Sequence, residues 1–549
     1  MSKWFALVGV CGAAWAGAAG AQVSLDRADP TVVQQSLPQA VAHPDRTDVS
    51  VTVEQVRPAA PRTTITTPVI QAVSVEGRGA IPAARFADAI GTVVGRALTQ
   101  ADLVDLAGAI AAIAKKEGYP LATAVVEPQK VEHGILRVSL AIGKIDAVRV
   151  IGAKNALADR ILAQVLITGR GARGTDLERA ILLVGDIAGV RVKESRFVQQ
   201  DGFGILLVTI EEDRATGYLQ VDNRGSDEVG PIRSTALATF RGLVRSGDEL
   251  VLIASNTLQL TEFMFVGGRY VLPVGTSGTV LSGSASYGRS NPGASLSALD
   301  VVGKSVDFGV AFSKPIFRSR ARSVWVNVEL RGLSITQKVS GTALRDDRQA
   351  TFTAKLTGIS KFMNGTLHGE ISTVVGLPFG GVTQAGDLLA SRFDGDARFV
   401  TVGYLVDWTR PLGNGLEIVL ASAGQLASRP LLANAEIGAG GASFGRAYDY
   451  AERTGDQGIL GSAELRADIG RIVPGLIDRT QLYSFVDGGM VSNLRDGLGG
   501  GSLLSMGGGA RLVAGLVDGT VEIALPLNAD RFDTGNRDPR VSVRIARQF

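Results

Sequence analysis

Residues 540–549, RVSVRIARQF, have the alternation of a β-strand with two different faces. Successive side chains of a strand point to opposite sides, so its apolar and polar residues separate. The apolar face carries Val541, Val543, Ile545 and Phe549, and the other face carries Arg540, Ser542, Arg544, Ala546 and Gln548. Such a strand suits the wall of a membrane barrel, with lipid outside and water inside. Arg547 interrupts the apolar face, but near the membrane interface its long side chain can reach water.

Segments of the same kind recur from residue 213 onward. Each is about ten residues long, alternates in polarity and is bounded by Gly, Asn, Asp or Ser clusters. Examples are residues 218–223, 249–255, 279–287, 323–330 and 481–487. At roughly 20 residues per strand with its connections, the region accommodates about 16 strands. The pattern predicts a transmembrane antiparallel β-barrel over residues 213–549, although a soluble β-sandwich would give similar alternation.

The N-terminal residues have the pattern of an export signal. Lys3 supplies a positive charge, residues 4–18 are apolar but too short to cross a bilayer, and Ala19-Gly20-Ala21 forms a small-residue cleavage site. We expect a signal peptide over residues 1–21. The single cysteine, Cys11, lies within it, so the mature chain is expected to have no thiol. No later window approaches 18 consecutive apolar residues, so a mature chain that spans a membrane must do so as a β-barrel.

Composition argues against several classes of function. The 549 residues carry 56 Lys and Arg against 53 Asp and Glu, a formal net charge of +3. A charge this small does not favour binding of nucleic acid. His43, His133 and His368 are scattered without a metal-ligand pattern. Neither H-E-x-x-H nor C-x-x-C occurs in the mature chain. The sequence therefore predicts a protein that is not an enzyme and that has no cofactor or metal site.

Residues 22–64 differ in composition from the rest of the chain. Asp29-Pro30 begins a short helical stretch that reaches Leu37, since proline is favoured at the first position of a helix. A Pro/Thr/Val-rich segment with Pro58-Ala59-Ala60-Pro61 follows. We interpret residues 22–64 as an N-terminal plug helix and linker, and a wholly disordered linker is the alternative.

Two units with the same order of elements follow, over residues 65–143 and 144–212. In each, the pattern predicts strand, helix, helix, strand, strand, enough for an α+β module with two helices on a small sheet. The ranges are 69–75, 83–90, 101–116, 122–126 and 135–142 in the first unit and 147–151, 156–166, 177–187, 190–197 and 204–210 in the second. Thr99 with Asp102, and Thr175 with Glu178, have capping-box spacing. Two unrelated small domains are the alternative.

Two short motifs in the predicted barrel are candidates for a functional site. Residues 438–448 read GAGGASFGRAY, where glycines allow tight turns and Arg446 can extend as a single charged group. Residues 485–489 read FVDGG and place Asp487 on a predicted strand. If Asp487 faces the lumen, it can pair with Arg446 and hold the loop inside the barrel. Spacing alone also allows a solvated arginine and an unrelated aspartate.

These motifs resemble those of the outer-membrane protein-assembly and secretion superfamily. Phe444-Gly445-Arg446-Ala447-Tyr448 resembles the Arg-Gly-aromatic motif at the tip of that superfamily's sixth extracellular loop, with Ala447 in place of the usual glycine. Residues 485–489 are similar to its Phe-x-Asp-x-Gly strand motif. The two α+β units resemble polypeptide-transport-associated (POTRA) domains. Two such units, with a helix and linker before them, make essentially the whole mature chain similar to TpsB-type two-partner secretion transporters, the haemolysin/haemagglutinin secretion-activation family.

The resemblance implies a location, a function and roles for particular residues. It implies an outer-membrane barrel whose periplasmic POTRA domains recognise an unfolded, TpsA-like exoprotein, which then leaves through the pore. Residues 122–126 and 190–197 are candidate sheet edges for adding a substrate strand. The implied lumen-loop motif is Phe444, Gly445, Arg446 and Tyr448, and its barrel-wall partners are Phe485, Asp487 and Gly489. Phe549 would be the insertion signal read by the barrel assembly machinery, and outer-membrane lipids would surround the barrel.

Three alternatives to secretion stay open at the level of sequence. An insertase for other barrels belongs to the same superfamily but usually carries more than two POTRA domains. A passive porin would explain the barrel but not residues 65–212. A barrel-anchored enzyme would need a catalytic cluster, which the sequence does not show.

Overall fold

A computed structural model of the protein describes residues 30–31, 51–54, 66–164, 171–200, 203–495, 497 and 499–549. The predicted signal peptide and most of the predicted plug and linker lie outside these residues. In chain order, a short strand β1 (Val51–Glu54) is followed by two α+β modules and a closed β-barrel. Within the described part of the chain, no helix combines the length and apolarity needed to cross a membrane.

The first module packs its helices on a three-stranded sheet. Its elements are β2 (Ala72–Glu76), a 3-10 turn (Ala83–Phe86), α1 (Ala87–Gly91), α2 (Gln100–Lys116), β3 (Thr123–Val125) and β4 (Ile135–Ala141). Strand β4 lies in the centre, parallel to β2 and antiparallel to β3. Leu106, Ile110 and Ala114 recur every fourth residue of α2 and form one buried stripe that packs in the core of this module.

The predicted capping box at the start of α2 is confirmed. The Thr99 hydroxyl oxygen accepts a hydrogen bond from the Asp102 N–H at 3.3 Å, and the Asp102 carboxylate accepts one from the Thr99 N–H at 2.8 Å. The Thr99 hydroxyl and N–H both stabilise the charged carboxylate, and together they lower the pKa of Asp102. The cap therefore satisfies N–H groups that have no partner within the helix.

The second module has the same chain order as the first. Its elements are β5 (Ala147–Gly152), α3 (Ala156–Ala163), α4 (Gly174–Gly185), β6 (Val190–Gln200) and β7 (Phe203–Glu212). The predicted capping box at Thr175 is wrong, because α4 already begins at Gly174 and its N-cap residue is Arg173. Glu178 instead accepts a hydrogen bond from the backbone N–H of Arg320, on a barrel turn, at 2.5 Å.

A strand from outside the second module completes its sheet. The strand order is β1-β6-β7-β5, and β1 runs parallel to β6, with Val51 opposite Ser195 and Glu54 opposite Val198. Of the two candidate edges, residues 190–197 are thus already paired on their outer side at residues 195–197, by β1. Strand β3 in the first module is the terminal strand of its sheet.

The barrel is a closed antiparallel sheet of sixteen strands, as the sequence predicts. Its first eight strands are β8 (Ala215–Asp222), β9 (Arg233–Arg241), β10 (Glu249–Thr257), β11 (Phe263–Val274), β12 (Thr279–Ser290), β13 (Val301–Arg318), β14 (Arg322–Val339) and β15 (Thr342–Phe362). The other eight are β16 (Gly365–Gly376), β17 (Val400–Gly413), β18 (Leu416–Ala427), β21 (Gln457–Gly470), β22 (Arg479–Ser492), β23 (Gly501–Ala514), β24 (Val517–Pro526) and β25 (Arg540–Gln548). Two short strands, β19 (Ile437–Ala439) and β20 (Arg453–Gly455), pair with each other between β18 and β21.

The last strand has the two faces that its sequence predicts. Val541 and Ile545 are 51% and 56% exposed on the outside, whereas Arg540 and Ser542 are buried towards the lumen. Strand β25 pairs with β8 and closes the barrel. Phe549 extends this seam, since its N–H donates to the Gly217 carbonyl at 2.9 Å and its carbonyl accepts from the Gly217 N–H at 3.2 Å.

The second module docks on the barrel rim where the turns are short. The Arg318 guanidinium donates two hydrogen bonds to the Asp186 carboxylate, at 2.8 and 2.6 Å, and both side chains are largely buried. A Cβ atom added to Gly278 would lie 2.5 Å from Leu183 Cδ2, so this turn packs directly against α4. The longer connections between barrel strands leave the opposite rim.

Arg318→Ala is expected to loosen this docking without unfolding the barrel. Removing one partner of a largely buried pair leaves the Asp186 carboxylate without its bidentate donor. Hydrogen exchange in α4 should become faster while exchange in β13 and β14 stays unchanged. Arg191→Ala, in the same module, is the matched control, since Arg191 forms an exposed pair with Asp213. Unchanged exchange in α4 of the Arg318 variant would contradict this role of the ion pair.

Candidate functional site

A loop between β19 and β20 folds back into the barrel. Residues 440–452, here called the inward loop, turn on themselves through hydrogen bonds from the Gly440 N–H to the Phe444 carbonyl at 2.9 Å and from the Tyr448 N–H to the Gly445 carbonyl at 3.0 Å. Gly440 and Gly445 have φ angles of +107° and +84°, which side chains other than glycine rarely adopt. Ala447 is not among the described residues with positive φ, so alanine fits where the resembled motif has glycine.

Arg446 is buried and meets carboxylates from three barrel strands. Its Nη1 atom donates to Glu464 on β21 at 2.7 Å and to Glu522 on β24 at 3.3 Å. Its Nε atom lies 2.9 Å from the Asp487 Oδ2 atom on β22, without the alignment of a hydrogen bond. Only 8% of Arg446 is exposed. A single guanidinium therefore links the inward loop to three strands of the wall.

Asp487 holds the backbone of the loop as well as its arginine. Its Oδ1 atom accepts hydrogen bonds from the N–H groups of Gly445 and Arg446, at 3.0 and 3.1 Å, and from the Ser505 hydroxyl. The structure thus brings together the two residues that the sequence analysis proposed as a tether. It does not fit the alternative of a solvated arginine with an unrelated aspartate.

The aromatic residues of both motifs lie in the same cluster. The Arg446 guanidinium lies over the Phe485 ring, 4.1 Å from its centroid, which is a cation–π geometry. Phe444 and Tyr448 are buried with Phe485. The Tyr448 hydroxyl donates to the Ala529 carbonyl at 3.1 Å. A Cβ atom on Gly489 would lie 2.5 Å from the backbone oxygen of Ile459, so only glycine fits the wall there.

The base of the inward loop is anchored separately from its tip. On one side Asp449 pairs with Arg540 at 2.6 Å. On the other, the fully buried Asp456 accepts from Arg392 at 2.8 Å and from the backbone N–H of Leu431 at 2.7 Å. Burial disfavours the charged guanidinium of Arg392, but hydrogen bonds to Asp394 and Asp456 outweigh this and raise its pKa. The loop is therefore held at two levels.

Sequence reasoning missed Glu464, Glu522 and Tyr483, which complete the site. The Tyr483 hydroxyl donates to Glu522 at 2.9 Å, and Arg511 donates to Glu464 at 2.9 Å. The spacing along the strand could have identified Tyr483. Tyr483 and Asp487 are an even number of residues apart, so they face the same side of β22. Which charges of β21 and β24 meet the loop depends on barrel register.

Space remains in the lumen beside the site. A cavity of about 410 Å³ is lined by Arg446, Arg466, Arg511, Glu522 and Arg544, among others.

Residues 441–445 read GASFG and so match the G-x-S-x-G spacing of hydrolases. Ser443 stands on a loop, however, and not on the strand-to-helix turn that this motif requires.

The described part of the N-terminal segment lies against the inner wall. Pro30 and Thr31 are helical and buried. A Cβ atom added to Gly303 would lie 3.0 Å from Pro30 Cδ, and one added to Gly288 would lie 3.0 Å from Pro30 Cβ. Both glycines are buried on β12 and β13, whose outward side chains, such as Phe308, are exposed. Residues 30–31 therefore sit inside the barrel.

A sixteen-stranded barrel with an arginine-tipped loop in its lumen and two α+β modules ahead of it defines an outer-membrane POTRA-barrel protein. The family model of the haemolysin secretion/activation protein ShlB/FhaC/HecB matches residues 204–512, more than half of the chain, and the chain belongs to this family. The model of the ShlB-type POTRA domain matches residues 69–143.

Individual relatives and solved structures agree with this family. The chain is 22% identical over 382 residues to the heme/hemopexin transporter protein HuxB of Haemophilus influenzae, covering 68% of this chain and 67% of that protein. CdiB from Escherichia coli is similar in structure with a TM-score of 0.70 at 18% identity, over 95% of both chains. CdiB from Acinetobacter baumannii gives a TM-score of 0.64 at 18% identity, over 97% of this chain and 99% of that one.

The family establishes the class of function. The chain is a two-partner secretion transporter of the outer membrane, with its POTRA modules in the periplasm and a secreted exoprotein as its partner. Proteins of this family are secretion proteins.

Proposed function

We propose that the POTRA modules bind the exoprotein in an unfolded state and that it then crosses the membrane through the barrel lumen. In the resting state the lumen is closed from two sides, by the inward loop on β21, β22 and β24 and by the N-terminal segment on β12 and β13. The observation that carries this proposal is Arg446, whose guanidinium holds the loop across the lumen on three carboxylates.

The remaining residue roles and domain limits belong to the same proposal. The domain limits are residues 1–21, 22–64, 65–143, 144–212 and 213–549, as the sequence predicts. Phe549 serves as the insertion signal for the barrel assembly machinery, supported by its exposed ring at the end of β25. Outer-membrane lipids contact the apolar outer face. Transport needs no catalytic step by this chain. Folding of the exoprotein outside the cell supplies the free energy that drives its transport.

Comparison of culture-supernatant and outer-membrane proteins tests the proposed function. In a strain lacking this chain, one or two large proteins should disappear from the supernatant, while other outer-membrane barrels keep their abundance. Restoring the chain should restore those proteins. A broad fall in other barrels would instead indicate an insertase, and an unchanged supernatant would contradict secretion of a dedicated partner.

A further inference from the structure

Three cationic side chains lie together on the outside of the barrel. They are Arg289 on β12, Lys304 on β13 and Lys338 on β14, and all three are exposed. Lys304 shares the outward face of β13 with Phe308, because the two residues are an even number of positions apart. Arg289 is the register partner of Lys304, and Lys338 is that of Val302, so both also face outward. We call Arg289, Lys304 and Lys338 the basic patch.

The basic patch lies at the end of the barrel away from the modules. Strand β13 begins at Val301, close to Lys304, and ends at Arg318, which pairs with Asp186 of the second module. The POTRA modules of this family lie in the periplasm. The basic patch therefore belongs to the outer side of the membrane.

Two lysines bound the apolar outer surface of β13. The outward residues between Lys304 and Lys314 are apolar and at least 39% exposed, and they are Val306, Phe308, Val310 and Phe312. A strand of about ten residues spans about 33 Å, and a tilt of about 40° reduces this to about 25 Å across the membrane. The apolar band of an outer-membrane barrel has this height. Lys304 and Lys314 therefore mark the two interfaces, at the depth of the lipid headgroups.

The positive charges of the basic patch are not neutralised by the protein. Within the described part of the chain, none of the three cations forms an ion pair or a hydrogen bond through its side chain. An outward carboxylate in the same register row, Asp346 on β15, is separated from Lys304 by Thr336 and pairs with Arg348 at 3.2 Å. The three charges are thus available to an anionic ligand outside the barrel.

We propose that the basic patch binds the phosphate groups of an anionic lipid in the outer leaflet. Phosphate accepts charge-assisted hydrogen bonds from guanidinium and ammonium groups, and these are stronger than bonds between neutral groups. The acyl chains of the lipid lie on Val306 and Phe308, where they cover exposed apolar surface. The inference uses the location that the family establishes and does not depend on how the exoprotein crosses the barrel.

The spacing of the cations favours a headgroup with two phosphates. Arg289 and Lys304 are partners on adjacent strands, about 5 Å apart. Lys338 lies on the next strand and is offset from Lys304 by two residues, which places it about 8 Å away. One phosphate can bridge the first two cations, and a second phosphate on the same headgroup can reach Lys338. The ligand class is therefore a lipid with a bisphosphorylated headgroup.

Binding of bisphosphorylated lipid A to the purified mature chain in detergent tests this site. Native mass spectrometry of the protein–lipid complex is the measurement. Arg289→Gln/Lys304→Gln/Lys338→Gln should weaken binding about tenfold or more, because each basic residue near a membrane surface contributes to the attraction of anionic lipids. Arg289→Lys/Lys304→Arg/Lys338→Arg keeps the three charges and should retain binding. Equal binding by the glutamine variant and the parent protein would overturn the inference.

Lys314→Gln is the matched control. Lys314 is exposed on the same face of the same strand but lies at the opposite interface, and its register partner on β14 is the uncharged Val326. This variant should bind bisphosphorylated lipid A as the parent protein does. A loss of binding equal to that of the glutamine variant of the basic patch would show that the attraction does not come from this patch.

A comparison of ligands separates a lipid with two phosphates from other sources of phosphate. Inorganic phosphate has no acyl chains and phosphatidylglycerol has a single phosphate, so each should bind about tenfold more weakly or worse than bisphosphorylated lipid A. If either binds as tightly, the assigned ligand class is wrong. These measurements do not involve secretion, so failure of the proposed function and failure of this inference are separate results.

Discussion

Arg446→Ala is expected to lower secretion by about tenfold or more while the barrel still assembles in the outer membrane. The substitution removes the cation that faces Glu464, Asp487 and Glu522, all of which are at least 97% buried. Breaking a buried ion pair by removing one partner costs about 3–5 kcal/mol, because the other charge is left uncompensated. The tip of the inward loop should therefore leave the wall and lose its fixed position in the lumen, where it obstructs the exoprotein, although Asp449 and Asp456 still hold its base.

The measurement compares the exoprotein in the supernatant with the amount of folded barrel in the membrane. Asp487→Ala should behave like Arg446→Ala, since it removes the acceptor of two backbone N–H groups at the loop tip. Arg446→Lys should recover secretion only partly, because an ammonium cannot reach three carboxylates and stack on Phe485 as a guanidinium does. Arg479→Ala, which removes an exposed pair with Asp468, is the control and should secrete normally. Full secretion by both Arg446→Ala and Asp487→Ala would refute the tether.

Removal of residues 22–64 from the mature chain is expected to raise the resting ion conductance of the barrel. Pro30 and Thr31 of this segment are buried against the inner wall, so their loss opens space in the lumen. Conductance of the purified protein in planar bilayers is the measurement. An unchanged conductance would show that the segment does not close the pore.

A substitution in the wall separates this effect from loss of the linker. Gly303→Val places a side chain where a Cβ atom already lies 3.0 Å from Pro30 Cδ and 2.5 Å from Ser290 Oγ, so residues 30–31 should be displaced. Conductance should again rise, with β1 still present. Gly283→Val is the matched control on β12, because a Cβ atom there meets nothing within 4 Å. Equal conductance in the two valine variants would contradict the contact of residues 30–31 with the barrel wall at Gly303.

Local patterns in the sequence predicted most of the architecture. The period of two along residues 540–549 predicted which side chains lie on the outside of the barrel, because that period is a property of the strand backbone itself. Thr99 and Asp102 predicted the start of a helix, since the cap involves residues only three apart. Thr175 and Glu178 have the same spacing but form no cap, because α4 already begins at Gly174 and Thr175 lies inside the helix. Glu178 is used instead in a tertiary contact, with the backbone N–H of Arg320 on a barrel turn.

The sequence by itself determined the membrane barrel, the two modules and the candidate pair of Arg446 and Asp487. Only the tertiary structure decided that Glu464 and Glu522 share the same guanidinium, and that β1 covers the edge of β6. These contacts join residues far apart in the chain, and they exist only when the sheet closes with one particular register. Alternation reports which side a residue faces, whereas strand register and closure determine which residues meet there.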